Sequence, residues 1–159
     1  MIQNDLRART VCFTGHREIS HSDIAERLDT LLNELYQQGY YYFGAGGALG
    51  FDTEAALAVL RAQEKHPQIK LILVLPFPGQ AVKWSAEQQQ QYEDIKAKAA
   101  KVKLTSQNYT RGCFHVRNRA LVDGASLCIA YLSKNTGGTA YTVDYARQQG
   151  LKVINMANA

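Results

Sequence analysis

Apolar residues fall into two recurring patterns along this chain. Short, near-continuous apolar runs alternate with longer stretches that carry one apolar stripe per helical turn. Thr10-Val11-Cys12-Phe13-Thr14 reads as a buried strand ending at Gly15. Ile24, Leu28, Leu31, Leu32 and Leu35 then share one helical face. Ser20 and Asp23 have capping-box spacing before that helix, and Gly39 has the position of a helix stop. Tyr40-Tyr41-Tyr42-Phe43 is the next strand. It leads into a glycine-rich loop from Gly44 to Asp52 and a helix-like stretch from Thr53 to Leu60. Ile69 to Leu75 is the clearest strand, apolar enough to be covered on both faces. Ala86 to Ala100 is helical by composition, and Val102-Lys103-Leu104-Thr105 is a weaker strand. A looser stretch runs to about Asn118, with a short helix through Asp123. Ser126 to Leu132 is a strand, Asn135 to Thr139 a second glycine loop, Ala140 to Gln149 a helix, and Leu151 to Ile154 the last strand.

Strand and helix alternate throughout, which predicts an α/β architecture with a mostly parallel, doubly wound sheet between helical layers. The 159 residues contain no repeat, linker or low-complexity segment, so residues 1–159 are expected to form one domain. No apolar run has the length of a membrane span, and Met1 to Leu6 lacks the apolar core of a leader. Cys12, Cys113 and Cys128 are odd in number and without C-x-x-C spacing. They read as reduced thiols in a cytoplasmic protein with no membrane partner. A net charge of +4 is mildly basic; Lys96, Lys98, Lys101 and Lys103 form one cluster and Arg111, Arg117 and Arg119 another.

In a parallel sheet, ligands sit beyond the carboxyl ends of the strands. Three motifs fall there: Thr14-Gly15-His16-Arg17, the loop from Gly44 to Asp52, and Thr136-Gly137-Gly138-Thr139. Two glycine loops and an arginine on one edge describe a phosphate-binding crevice, because glycine lets backbone N–H groups approach an anion. The first loop is not followed by the Gly-Lys-Ser/Thr of a nucleoside-triphosphate loop. Its glycine offsets, its place after the second strand and the missing acid after Leu75 also argue against a nicotinamide dinucleotide fold. Gly46, Gly47 and Gly50 are the expected phosphate cradle, and Arg17 and Arg117 its cations. His16 is a further ligand contact, and Gly137, Gly138 and Thr139 form the opposite wall. Asp52 reads first as a helix N-cap; Glu54, as a general base if it faces the crevice, and Asp52 are the catalytic candidates. Trp84 and Tyr131 are candidates for stacking on a base. No metal site and no cofactor are called for; the four histidines show no ligand spacing.

These motifs resemble the SLOG superfamily, the Rossmann-like group that includes DprA, the LOG phosphoribohydrolases and the YpsA-like proteins. Thr14-Gly15-His16-Arg17 looks like the signature of the YpsA-like branch. Gly47 to Ala56 resembles the DprA stretch of glycine, apolar residue, Asp and alanine-rich helix. Arg117-Asn118-Arg119 through Thr139 is similar to the LOG pattern. In LOG enzymes the second turn runs into a pair of catalytic glutamates; here Tyr141 and Thr142 stand in their place. The resemblance therefore implies binding rather than turnover. The expected function is binding, for sensing or sequestration, of a nucleotide or nucleotide-derived ligand such as an ADP-ribose or NAD-type molecule, in a homodimer. The alternatives are a LOG-like N-glycosidic hydrolase using Glu54 or Asp52, and a DprA-like binder of single-stranded nucleic acid.

Overall fold

The computed structural model describes residues 6–158, so the reading of Met1 to Asp5 lies outside the described residues. The elements, in chain order, are β1 (Thr10–Gly15), α1 (Ile24–Gln37), β2 (Tyr42–Ala45), α2 (Phe51–Lys65), β3 (Lys70–Leu75), α3 (Ala86–Lys98), β4 (Lys101–Leu104), α4 (Cys113–Asp123), β5 (Leu127–Tyr131), α5 (Gly137–Gln148) and β6 (Lys152–Asn155). The six strands form one sheet in the order β4-β3-β2-β1-β5-β6. Every pairing is parallel, so the α/β expectation holds and the sheet is parallel throughout.

Strand periodicity divides the core. Val11, Phe13, Phe43, Leu71, Leu73 and Ile129 face α1, α2 and α3, packing with Leu28, Leu32, Phe51 and Ile95. Cys12, Val74, Cys128 and Ala130 face the other way, onto Leu121 and Val122 of α4 and Val143 and Ala146 of α5. Right-handed crossovers require this division once the chain reverses direction across the sheet after β4. The second layer is shorter than the first. Ile72 is only half-buried, and an open groove of about 540 Å³ runs beside Gly44, Ile72, Val74, Leu121, Lys101 and Lys103. β3 is thus covered fully on one face only, and β4 is exposed at all four positions.

Several boundaries differ from the sequence reading. β2 begins at Tyr42 and extends through Gly44 and Ala45, which are buried where the strand needs close packing. α2 starts at Phe51 with Gly50 as N-cap, so Asp52 is not the cap; it lies inside the first turn. Ser20 forms no capping box with Asp23, whose side chain makes no cap hydrogen bond. Tyr131 competes for Ser20 instead: its hydroxyl receives the Ser20 N–H at 3.1 Å. A capping box closes at Ser85 and Gln88, at the start of α3. α4 begins at Cys113, which places Arg117 within a helix, and α5 begins at Gly137, which puts both glycines of the second loop in its first turn.

Candidate functional site

The topological switch point lies between β1 and β5, whose connections leave in opposite directions across the sheet. Thr14-Gly15-His16-Arg17 leaves β1 there. Phe51 at the start of α2 binds back to it, its N–H donating to the His16 carbonyl at 3.1 Å. A Cβ on Gly15 would lie 2.5 Å from the Phe51 side chain. Gly50, with φ +84°, is tighter still; a Cβ there would lie 2.1 Å from the Arg17 carbonyl oxygen. These two glycines fasten the first two loops to each other.

The interior side of the glycine loop is filled by protein. A Cβ on Gly46 would meet Arg117 Nη1 at 2.7 Å and Asp52 Oδ2 at 2.9 Å. One on Gly47 would meet Leu75 at 2.8 Å and Tyr92 at 3.2 Å. Arg117 is 4% exposed and turned inward. Its Nη1 donates to the Gly46 carbonyl, and its Nε donates to Asn118 Oδ1 at 2.7 Å. Asp52 is 6% exposed, and its Oδ2 accepts the Ala48 N–H at 3.3 Å. Burial raises the Asp52 pKa against the opposing pull of Arg117, and burial lowers that of Arg117 against the pull of Asp52. The structure therefore brings Gly46, Gly47, Gly50, Asp52 and Arg117 together as one braced loop, with Asp52 and Arg117 placed to hold it from within. Glu54 is half-buried on α2, its N–H bonded to the Gly50 carbonyl at 3.1 Å.

The second glycine loop differs. Among the described residues, nothing lies within 4 Å of a Cβ built on Gly137, and only Asn118 Nδ2, at 4.0 Å, approaches one on Gly138. Thr136, the N-cap of α5, makes no side-chain cap hydrogen bond, so the first amides of this helix have no side-chain acceptor there. Thr139 is buried, and Thr142 donates to the Gly138 carbonyl at 2.8 Å. Tyr141 is exposed, and its hydroxyl accepts from Arg119 at 2.6 Å. Thr142 thus braces the turn, Tyr141 ties α5 to Arg119 of α4, and neither carries a carboxylate.

His16 holds the approach to that turn. Its Nε2 accepts the Lys134 N–H at 3.2 Å, which requires the ring to be unprotonated there. Burial, then the Lys134 charge, lowers its pKa. Beside it, a hollow of about 490 Å³ opens between Arg17, Glu18 and Ser20 on one side and Ser133 and Lys134 on the other. Arg17 and Lys134 are both exposed. Tyr131 is not a stacking surface: it is 1% exposed, and its hydroxyl meets His21 Nδ1 at 2.5 Å. Trp84 packs edge-on against Tyr92, ring centroids 5.3 Å apart. The lysine cluster does not join the crevice. Lys96 and Lys98 end α3 and Lys101 opens β4, at the amino edge of the sheet, while the glycine loops lie at the carboxyl edge.

Sequence reasoning missed Asn118 and Lys134 in this setting, along with three aromatics on the same edge: Phe77 after β3, Tyr109 after β4 and Phe114 in the first turn of α4. Tyr109 and Phe114 are exposed. The two α4 residues sit in a stretch that reads as irregular by composition, so no periodicity marked them.

Comparison with known proteins agrees with this fold. The chain is 27% identical to the SPbeta prophage-derived protein YoqJ of Bacillus subtilis over 138 residues, covering 79% of this chain and 81% of that one. It is 29% identical over 128 residues to a UPF0398 protein of Bacillus licheniformis, covering 79% and 70% respectively. Its fold is similar to DNA processing protein A (DprA) of Streptococcus pneumoniae, with TM-score 0.67 and 19% identity over 94% of this chain and 50% of that one. It is equally similar to DprA of Helicobacter pylori, with TM-score 0.67 and 19% identity over 96% of this chain and 66% of that one; that structure was solved for its single-stranded DNA binding mode. The YpsA family model (YspA SLOG family) matches residues 7–157, and the chain belongs to that family.

Proposed function

We propose that this protein binds a nucleotide or nucleotide-derived molecule at the carboxyl edge of its sheet, as a sensor or a sequestering protein. One observation carries the reading: Gly137 and Gly138 open an α5 N-terminus with no side-chain cap, beside the switch point, with free space where side chains would be. Backbone N–H groups and the helix dipole there suit a phosphate. Arg17 and Lys134 supply exposed positive charge, and His16 holds the loop between them. The braced loop of Gly46, Gly47 and Gly50 is the rigid wall, and Arg117 acts as its positioning residue. An ADP-ribose or NAD-type molecule is the ligand class we favour, in a cytoplasmic, single-domain homodimer.

A thermal-shift panel of AMP, ADP-ribose, NAD and inorganic phosphate tests this. The expected result is a rise in Tm with at least one nucleotide, reduced by Arg17→Ala and Gly138→Asp. No shift with any member would remove the reading.

A second reading is single-stranded nucleic-acid binding, favoured by the fold shared with H. pylori DprA. That mode predicts steep salt dependence. It has less charge to use than the sequence implies, because Arg117 is buried and the lysine cluster sits at the opposite edge. Turnover by Glu54 is the third; release of free base from AMP that disappears in Glu54→Gln would establish it.

A further inference from the structure

We propose that Phe77, Tyr109 and Phe114 form a stacking platform for the heterocyclic base of the ligand, next to its phosphate site. This rests on the crevice being a nucleotide site, and it names what that site recognises beyond phosphate.

The three rings come from separate segments, all on the carboxyl edge of the sheet: the loops after β3 and β4, and the first turn of α4. They meet edge to face. Phe77 and Tyr109 lie 5.5 Å apart at 77°, Phe77 and Phe114 6.1 Å apart at 83°, and Tyr109 and Phe114 6.5 Å apart at 62°. Edge-to-face packing holds the rings together without stacking them face on face. Tyr109 remains 65% exposed and Phe114 41% exposed, unusual for large rings grouped together. The platform is also backed rigidly. The Arg117 guanidinium carbon lies 5.7 Å from the Phe114 ring centroid, and that arginine is fixed from within by Gly46.

Placement identifies the occupant. Phe114 and Asn118 are four residues apart on α4, one helical turn along the same face. Asn118 spends its Oδ1 on Arg117 and turns Nδ2 toward Gly138 of the phosphate turn. A helical turn, about 5.4 Å, is the scale on which a ribose separates a base from its phosphate. A base stacked on Phe114 thus keeps its phosphate within reach of Gly138, with Asn118 between them as a donor to the sugar or phosphate. Stacking reads the face of a base and not its edge, so the platform selects aromatic heterocycles over bare sugar phosphates while discriminating weakly among bases.

Isothermal titration of the full chain with AMP, with ribose 5-phosphate and with oligothymidylate tests this, using wild type, Tyr109→Ala, Phe114→Ala and Phe114→Tyr. Both alanine sites are exposed, so the variants are expected to fold. AMP should bind more tightly than ribose 5-phosphate, each alanine variant should weaken AMP about tenfold, and ribose 5-phosphate should be unaffected. Phe114→Tyr should retain AMP binding. If AMP binds but neither alanine variant weakens it, the platform is overturned and the phosphate crevice stands. If neither compound binds, the crevice reading falls and the platform with it. An effect seen only with oligothymidylate would assign the rings to a polymer and overturn the nucleotide assignment.

Discussion

Asp52 and Arg117 carry opposite charges into the interior on either side of Gly46, and the absence of a Cβ there is what lets them approach. Arg117 comes from α4 and Asp52 from α2, on opposite faces of the sheet. The pair therefore joins the two helical layers through the glycine loop. Arg117→Ala leaves the Gly46 carbonyl without its buried donor and removes the cation nearest Asp52, and should cost about 1–3 kcal/mol in urea unfolding. Adding Asp52→Asn should return part of that loss; strict additivity in the cycle would show that the two do not act together. The pH dependence has a definite sign. Asp52 holds its proton more tightly in the folded chain, so its contribution is fullest below the ordinary aspartate range and declines as pH rises through the raised value. Asp52→Asn should lack that decline.

Gly50 and Gly137 share a positive φ, +84° and +90°, yet their surroundings separate them. Gly50→Ala forces a methyl into the Arg17 backbone, which cannot yield without moving the β1 loop. The variant should be among the most destabilised in the chain, by more than about 4 kcal/mol. Gly137→Ala meets no atoms and should cost only backbone strain, about 1–3 kcal/mol. Chemical unfolding of the two variants side by side measures this; equal losses would mean that packing against Arg17 contributes nothing.

His16 ties the acidity of the medium to the loop before α5. Its imidazole must be unprotonated at Nε2 to accept the Lys134 N–H, and its folded pKa is lowered. The stabilisation is therefore complete above the ordinary histidine range and is lost as pH falls toward the lowered value. Amide exchange at Lys134, taken relative to its intrinsic rate at each pH, should lose protection on acidification. His16→Gln offers an acceptor that does not titrate, and should leave Lys134 protected across the range.

The capping box at the head of α3 is a self-contained test of local stability. Ser85 Oγ receives the Gln88 N–H at 3.1 Å, and Gln88 Oε1 receives the Ser85 N–H at 3.0 Å. Ser85→Ala should lower stability by about 1 kcal/mol without affecting ligand binding. A change in nucleotide affinity in this variant would show that α3 and the crevice are coupled.

What the sequence made legible follows from where each signal is local. Strand runs such as Ile69 to Leu75 and the stripe from Ile24 to Leu35 depend on periodicity, and both stand in the structure with shifts of a few residues. The glycine loops were visible as motifs, but their division of labour was not. Whether Gly46 faces a ligand or a guanidinium depends on a helix that arrives some seventy residues later, with Arg117 on it. Ser20 illustrates the same limit: its spacing to Asp23 suggested a local cap, and a hydroxyl from β5 claimed it instead. Phe77, Tyr109 and Phe114 gave no signal, because contacts among rings on three separate segments leave no pattern in any one of them.

Cys12 and Cys128 face each other in register on the two central strands, both 1% exposed or less. The neighbouring Cys128 thiol, then burial, raises the Cys12 pKa, which keeps the thiol protonated and unreactive in place. Both side chains lie on the sheet face beneath α4 and α5, so a reagent reaches them when that helical layer lifts from the sheet or the sheet itself parts. The thiol pair thus works as a built-in clock for loss of that layer. Cys113, equally buried but at the start of α4, times a smaller excursion. Labelling rates at the three sulfurs, read by mass spectrometry, would measure how often the start of α4 opens without the whole layer and whether a bound nucleotide slows one event or both.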